Sequence, residues 1–139
     1  MELTDCFRRG LLINTQTDME SARRSMNLAR SYMSDAEKSM AGDSYRLVII
    51  SSYTAMFHAA RAVLFRDGVK ERSHECIPLY IREQYPVLAG QANMLDSYRK
   101  YRHEALYGLK FEAGKQDAIT SLSVANGFLS AIGNEIENL

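Results

Sequence analysis

Between Ser97 and Gly108 the chain reads SYRKYRHEALYG, with three cations (Arg99, Lys100, Arg102), one histidine (His103) and three tyrosines within twelve residues. These side chains suit the handling of phosphate. A guanidinium stays charged at every accessible pH and matches phosphate oxygens with a fork of donors. An imidazole titrates near neutrality and can move a proton, whereas a phenol, titrating near 10, donates a hydrogen bond or a proton but is rarely a base. On a helical wheel Leu95, Tyr98, Ala105, Leu106 and Leu109 form one apolar stripe, and Arg102 falls on it. Arg99, His103 and Tyr107 form a second line at i, i+4 and i+8, and Lys100 and Glu104 a solvated third.

An unpaired guanidinium cannot be left in a dry core. Arg102 must therefore meet a buried carboxylate, snorkel to the edge of its layer, or reach a cleft or subunit seam that admits a phosphate. The spacing leaves these alternatives open. It also leaves His103 between an ordinary surface histidine and a proton carrier. A second cluster, Tyr53, Phe57 and Arg61 at i+4 spacing with His58 beside them, reads in two ways. It is either core packing, with Arg61 paired to an acid and Tyr53 satisfied by one hydrogen bond, or a set of further phosphate contacts through Arg61 and Tyr53. His74, next to a capping Ser73, reads as local structure. Histidines 58, 74 and 103 fit no metal-ligand spacing, so neither a metal nor another cofactor is expected.

The elements that must position these groups read as helices. From Thr17 to Gly42, Met19, Ala22, Met26, Ala29, Met33, Ala36 and Met40 recur at alternating steps of three and four. Thr17 and Glu20 have the spacing of a capping box, and Gly42 is a suitable terminator. A second helix, from about Ser44 to Asp67, is apolar or small on most sides, the mark of a central bundle helix, and stops at Gly68. A third begins near Ser73 and ends before Pro86, with Pro78 obscuring its start. PVLAGQAN reads as a loop into a fourth helix from about Met94 to Tyr107. A fifth carries Ala118, Leu122, Ala125, Leu129, Ile132 and Ile136. LTDCFRRGLL near the start adds at most a short helical turn. No hairpin signal is flanked by alternating strands. The fold class expected is all-α, an up-and-down antiparallel bundle of four long helices plus one shorter helix.

With 139 residues the chain is expected to form a single domain, 1–139. Seventeen cations balance seventeen acids, so no global field draws it to nucleic acid or a membrane surface, and any attraction must be local. Cys6 and Cys76, far apart and in no metal or redox spacing, are expected as reduced thiols. The most apolar run, LVIISSYTAMFHAARAVLF, includes Ser51, Ser52, His58 and Arg61 and reads as a core helix rather than a membrane span. The start MELTDCFRRG lacks a long apolar stretch, and a cytoplasmic location is the expectation.

Taken in order, FRRGLL, the long first helix, SSYTAMFHAARAVLFRDG, SHECIPLYIREQYP, RHEALYG and ITSLSVANGFLSAIGNEI span almost the whole chain. That series resembles the HEPN domain family, in particular its small stand-alone prokaryotic branch. The resemblance implies a helical bundle that pairs as a homodimer. It implies a metal-independent endoribonuclease, one component of a toxin–antitoxin pair with a nucleotidyltransferase partner. In such an enzyme a ribose 2′-OH attacks its own phosphodiester, a histidine moves protons, and an arginine steadies the charge growing on phosphorus. The hallmark is an arginine followed after four to six residues by a histidine. Carried onto this chain, it makes Arg102, Tyr107 and His103 the candidate catalytic groups, with Arg99, Arg61 and Tyr53 as candidate RNA contacts. The chain departs from the hallmark by placing Tyr107 where active members carry histidine, giving R-x4-Y. In an ideal helix Arg102 and Tyr107 also lie about 140° apart, so one copy alone does not aim both at one atom. The alternative is a non-catalytic dimer that binds a partner protein or a nucleotide.

Overall fold

The computed structural model of the chain describes residues 1–136 and 139. Six helices are connected in the order α1 (Leu3–Arg8), α2 (Met19–Ala41), α3 (Tyr45–Asp67), α4 (Cys76–Gln84), α5 (Ala89–Tyr107) and α6 (Lys115–Glu135). Two three-residue strands, β1 (Leu12–Asn14) and β2 (Val69–Glu71), and a 3₁₀ turn at Pro86–Leu88 complete the described elements. The architecture is the expected all-α bundle, built from four long helices, with α1 and α4 as shorter additions.

The Met/Ala periodicity of α2 becomes its buried seam, with Ala22, Met26, Ala29, Met33 and Ala36 turned inward. Its cap lies one residue later than expected. Asp18 Oδ1 accepts from the Ser21 backbone N–H at 2.9 Å, displacing the expected Thr17–Glu20 box. After the turn at Gly42–Ser44 the chain reverses into α3, and the alanines of the two helices permit close antiparallel packing. Ser25 Oγ, itself buried, donates to the His58 carbonyl across this contact at 2.8 Å. Helix α3 is the only described helix long and apolar enough to cross a membrane by composition. Here it is the central core helix, burying residues on most of its sides, among them Val48, Ile49, Tyr53, Met56, Ala59, Val63 and Leu64.

The antiparallel ribbon of β1 and β2 was not expected. It pairs Leu12 with Glu71, Ile13 with Lys70 and Asn14 with Val69. Its strands are joined not by a tight turn but by the whole α2–α3 hairpin, and three residues are too few to show an alternating pattern. Gly68, which ends α3 with φ 74°, makes the ribbon possible. A Cβ there would stand 2.6 Å from the Thr15 carbonyl oxygen.

Further expectations are corrected. Cys6 and Cys76 are joined in a disulfide rather than reduced, with their Cα atoms 6.0 Å apart. The pairing is invisible locally because it depends on α1 packing against the first turn of α4; it also removes reduced thiols as a support for the cytoplasmic expectation. Helix α5 begins at Ala89, not near Met94. Burial of Leu88, Ala92 and Leu95 outweighs the helix penalty of Gly90, about 1 kcal/mol. The α5 stripe is shorter than the wheel suggests: Leu95, Tyr98 and Ala105 are buried, whereas Leu106 and Leu109 are 42% and 104% exposed. In α6 Phe128 occupies the buried register that the heptad count assigned to Leu129. Pro78 causes no break because it sits in the first turn of α4, where no intrahelical N–H bond is lost.

Candidate functional site

Helix α5 presents Arg99, Lys100, Arg102, His103 and Glu104 along one edge, and the short connection between β2 and α4 lays His74 against them. These six residues line a cleft of about 410 Å³. Tyr53 of α3, 3% exposed, lies beneath it. The Arg102 guanidinium carbon stands 5.1 Å from the centre of the Tyr53 ring, a cation–π arrangement. The Tyr53 hydroxyl is 2.9 Å from His74 Nδ1, and the His74 ring stacks on Phe57 with centroids 4.1 Å apart.

The three cations of the cleft differ in how they are neutralised. Arg99 binds Asp96 Oδ1 twice, through Nε at 3.1 Å and Nη2 at 3.0 Å. Lys100 Nζ lies 3.6 Å from Asp96 Oδ2. No described acidic residue pairs with Arg102, and its buried Nε has no hydrogen-bond partner. Of the options open from the sequence, the buried carboxylate is thus absent among the described residues. The guanidinium rests instead on an aromatic face at the edge of a cleft.

Burial, reinforced by the nearby Arg102 charge, pushes the His74 imidazole below its ordinary range, so it is neutral at physiological pH. Burial raises the Tyr53 phenol to about 12, with Arg102 and Arg99 pulling weakly the other way, so that phenol keeps its proton. His58 is likewise held low, first by burial and then by the Arg61 charge. Its Nδ1 is buried without a partner, and its ring stacks on Tyr32 at 5.5 Å.

Of the residues singled out from the sequence, Arg99, Arg102 and His103 come together in the cleft, and Tyr53 supports it from below. Arg61 does not line it. Its Nε lies 2.7 Å from Glu71 Oε1, an ion pair by distance, although the N–H is not aimed for a hydrogen bond. The same guanidinium also packs over Phe65 at 5.1 Å. Tyr107 stands outside the cleft as well, 66% exposed on the last turn of α5, its ring tilted against His103 at 4.9 Å. His74 is the group that sequence reasoning passed over. Its loop meets α5 only through the tertiary fold, and one histidine beside a serine carries no spacing signal.

A family model described as HEPN domain matches residues 22–136. A relative named UPF0332 protein, from Archaeoglobus fulgidus, is 27% identical over 121 residues, covering 85% of this chain and 97% of its own.

Proposed function

The chain belongs to the HEPN domain family, and from that premise we propose that it binds RNA through the Arg102 cleft as a metal-independent endoribonuclease. In this reading two copies form a homodimer. A nucleotidyltransferase-type protein is the partner, the two making a toxin–antitoxin pair. The observation that carries the reading is Arg102 itself: a cation with no described acidic partner, half-buried over Tyr53, beside an open cleft. A phosphodiester supplies the negative charge that the fold withholds from it. Arg99 and Lys100 line the same space and extend the positive field along a strand, and His103 stands beside them.

In the cleavage reaction the ribose 2′-oxygen forms a bond to phosphorus while the bond to the 5′-oxygen breaks. The 2′-hydroxyl proton leaves to a base, the 5′-oxygen gains a proton, and Arg102 stabilises the charge on the equatorial oxygens. The exposed apolar residues at the end of α5, Leu106 and Tyr107, and Leu109 just beyond it, support a seam there with a second copy, which would bring Tyr107 to a site shared by both subunits.

A second reading, a non-catalytic dimer that binds a partner protein or nucleotide, is favoured by one observation. Tyr107 holds the position of the hallmark histidine yet stands outside the cleft of its own chain. The test is incubation of the purified protein with single-stranded and structured RNA in EDTA. Cleavage lost in Arg102→Ala is the expected result. A dimeric protein that binds RNA but leaves all of it intact removes the nuclease and keeps the RNA cleft, and one that neither cleaves nor binds RNA removes the RNA assignment and leaves the second reading.

A further inference from the structure

Tyr53 and His74 meet in an arrangement that determines what His74 offers the cleft. Tyr53 is 3% exposed, and of the groups described around its hydroxyl only His74 Nδ1, 2.9 Å away, can accept a hydrogen bond from it, since the nearby Arg102 guanidinium only donates. A buried O–H left without an acceptor is costly. The phenol keeps its proton, since burial holds it at about 12. If Nδ1 carried the imidazole proton, the phenolic hydrogen would have nowhere to go. Tyr53 therefore donates, Nδ1 accepts, and neutral His74 carries its proton on Nε2. Nε2 has no described partner, and His74 lines the cleft beside Arg102. The Phe57 ring, stacked at 4.1 Å, holds the imidazole plane in place.

We propose that His74 Nε2–H and the Arg102 guanidinium form a subsite for a single phosphate group, with Tyr53 as the positioning residue that sets the His74 tautomer. The imidazole acts there as a neutral hydrogen-bond donor to a phosphate oxygen and not as a base. A general base in this cleft is then His103 or a group from the second copy. The proposal rests on the phosphodiester reading only for the identity of the ligand. The shared chemistry is a phosphate oxygen, whether from an RNA backbone, a nucleotide or free phosphate.

The experiment is ¹⁵N NMR of the histidine rings of the full-length protein, alone and with three probes: inorganic phosphate, ATP, and a short single-stranded RNA made uncleavable by 2′-O-methylation. Without any ligand, His74 Nδ1 is expected in the range of an unprotonated, hydrogen-bonded imidazole nitrogen. A His74 protonated at Nδ1 overturns the proposal whatever the RNA result. With the RNA probe, His74 Nε2 and Arg102 Nε shift. His74→Ala then weakens binding by roughly tenfold or more, and His74→Gln, which keeps an N–H donor, recovers part of that loss. Tyr53→Phe, a change of one oxygen, gives a mixture of His74 tautomers and a smaller loss. Equal affinity of wild type and His74→Ala for every probe that binds overturns the subsite. If phosphate or ATP shifts both residues while RNA shifts neither, the subsite stands and the RNA reading falls.

Discussion

At Asp67 one carboxylate oxygen, Oδ2, accepts from two phenols, Tyr80 at 2.8 Å and Tyr85 at 2.7 Å. Burial and this carboxylate push both phenols upward, Tyr85 to about 12. Charge-assisted bonds of this kind are the stronger class, so Asp67→Asn should cost about 2 kcal/mol of stability, read from urea unfolding. An unchanged midpoint would mean that the bracket between α3 and the end of α4 contributes nothing. The histidines give a pH dependence. His58 and His74 are both held below their ordinary value of 6.5 in the folded chain, mainly by burial. In the unfolded chain they protonate first as pH falls. The unfolded state thus binds more protons just below pH 6.5, and stability drops there as acid is added. It is unaffected by these two groups well above pH 6.5. His58→Gln should flatten the slope of the denaturation midpoint between pH 6.5 and 5; an identical slope would exclude His58 as a contributor.

Elements set where these residues meet. The β1–β2 ribbon and the Cys6–Cys76 bridge hold the two sides of the connection that carries His74, residues 72–75. The bridge closes a span of 70 residues, for which loop-closure entropy predicts a stabilisation of about 4 kcal/mol. Reduction should therefore lower the urea midpoint, and Cys6→Ser with Cys76→Ser should make it insensitive to reductant. Two titratable thiols in protein purified without reductant would contradict the bridge. At the other end of the ribbon, Gly68→Ala forces a side chain into left-handed backbone and onto the Thr15 carbonyl, 2.6 Å away. The expected cost is about 2 kcal/mol or more, together with displacement of β2. Circular dichroism should retain the helices while thermal unfolding moves down; an unshifted transition would show that the ribbon adapts freely. Of these devices only the glycine stop after α3 was legible beforehand. The disulfide and the strand pairing join segments far apart in the chain, and nothing local announces either.

Over the whole molecule positive and negative charges cancel, 17 against 17, so attraction for a polyanion must come from the cleft alone. Three cations line it, and Asp96 partly offsets two of them. Single-stranded RNA binding should fall with salt on a log–log slope of about −2 or shallower, taking about 0.7 per neutralised phosphate. A slope near −4 would place the strand on some other surface. At the same scale, the exposed Leu106, Tyr107 and Leu109 predict that Leu109→Asp weakens self-association in sedimentation equilibrium without unfolding the bundle. A monomer in the parent protein, or no change in the variant, would remove the seam from this end of α5.

The amino-acid order alone determined the helical class, the inward faces of α2 and most of α6, the stop at Gly68, and the crowding of Arg99, Arg102 and His103 on one helix. These follow from residue type and from periods of three to four residues, which are properties of neighbours in the chain. It also narrowed Arg102 to a few fates without choosing among them. Only the packed structure decided that Arg102 has no described carboxylate and lies over Tyr53, that Arg61 is held by Glu71, and that Tyr107 stands apart from the cleft. It alone brought His74 to the cleft and Cys6 to Cys76. Each of those outcomes depends on which distant segment fills the space beside a side chain, and that is settled by burial of the common core and not by spacing along the chain.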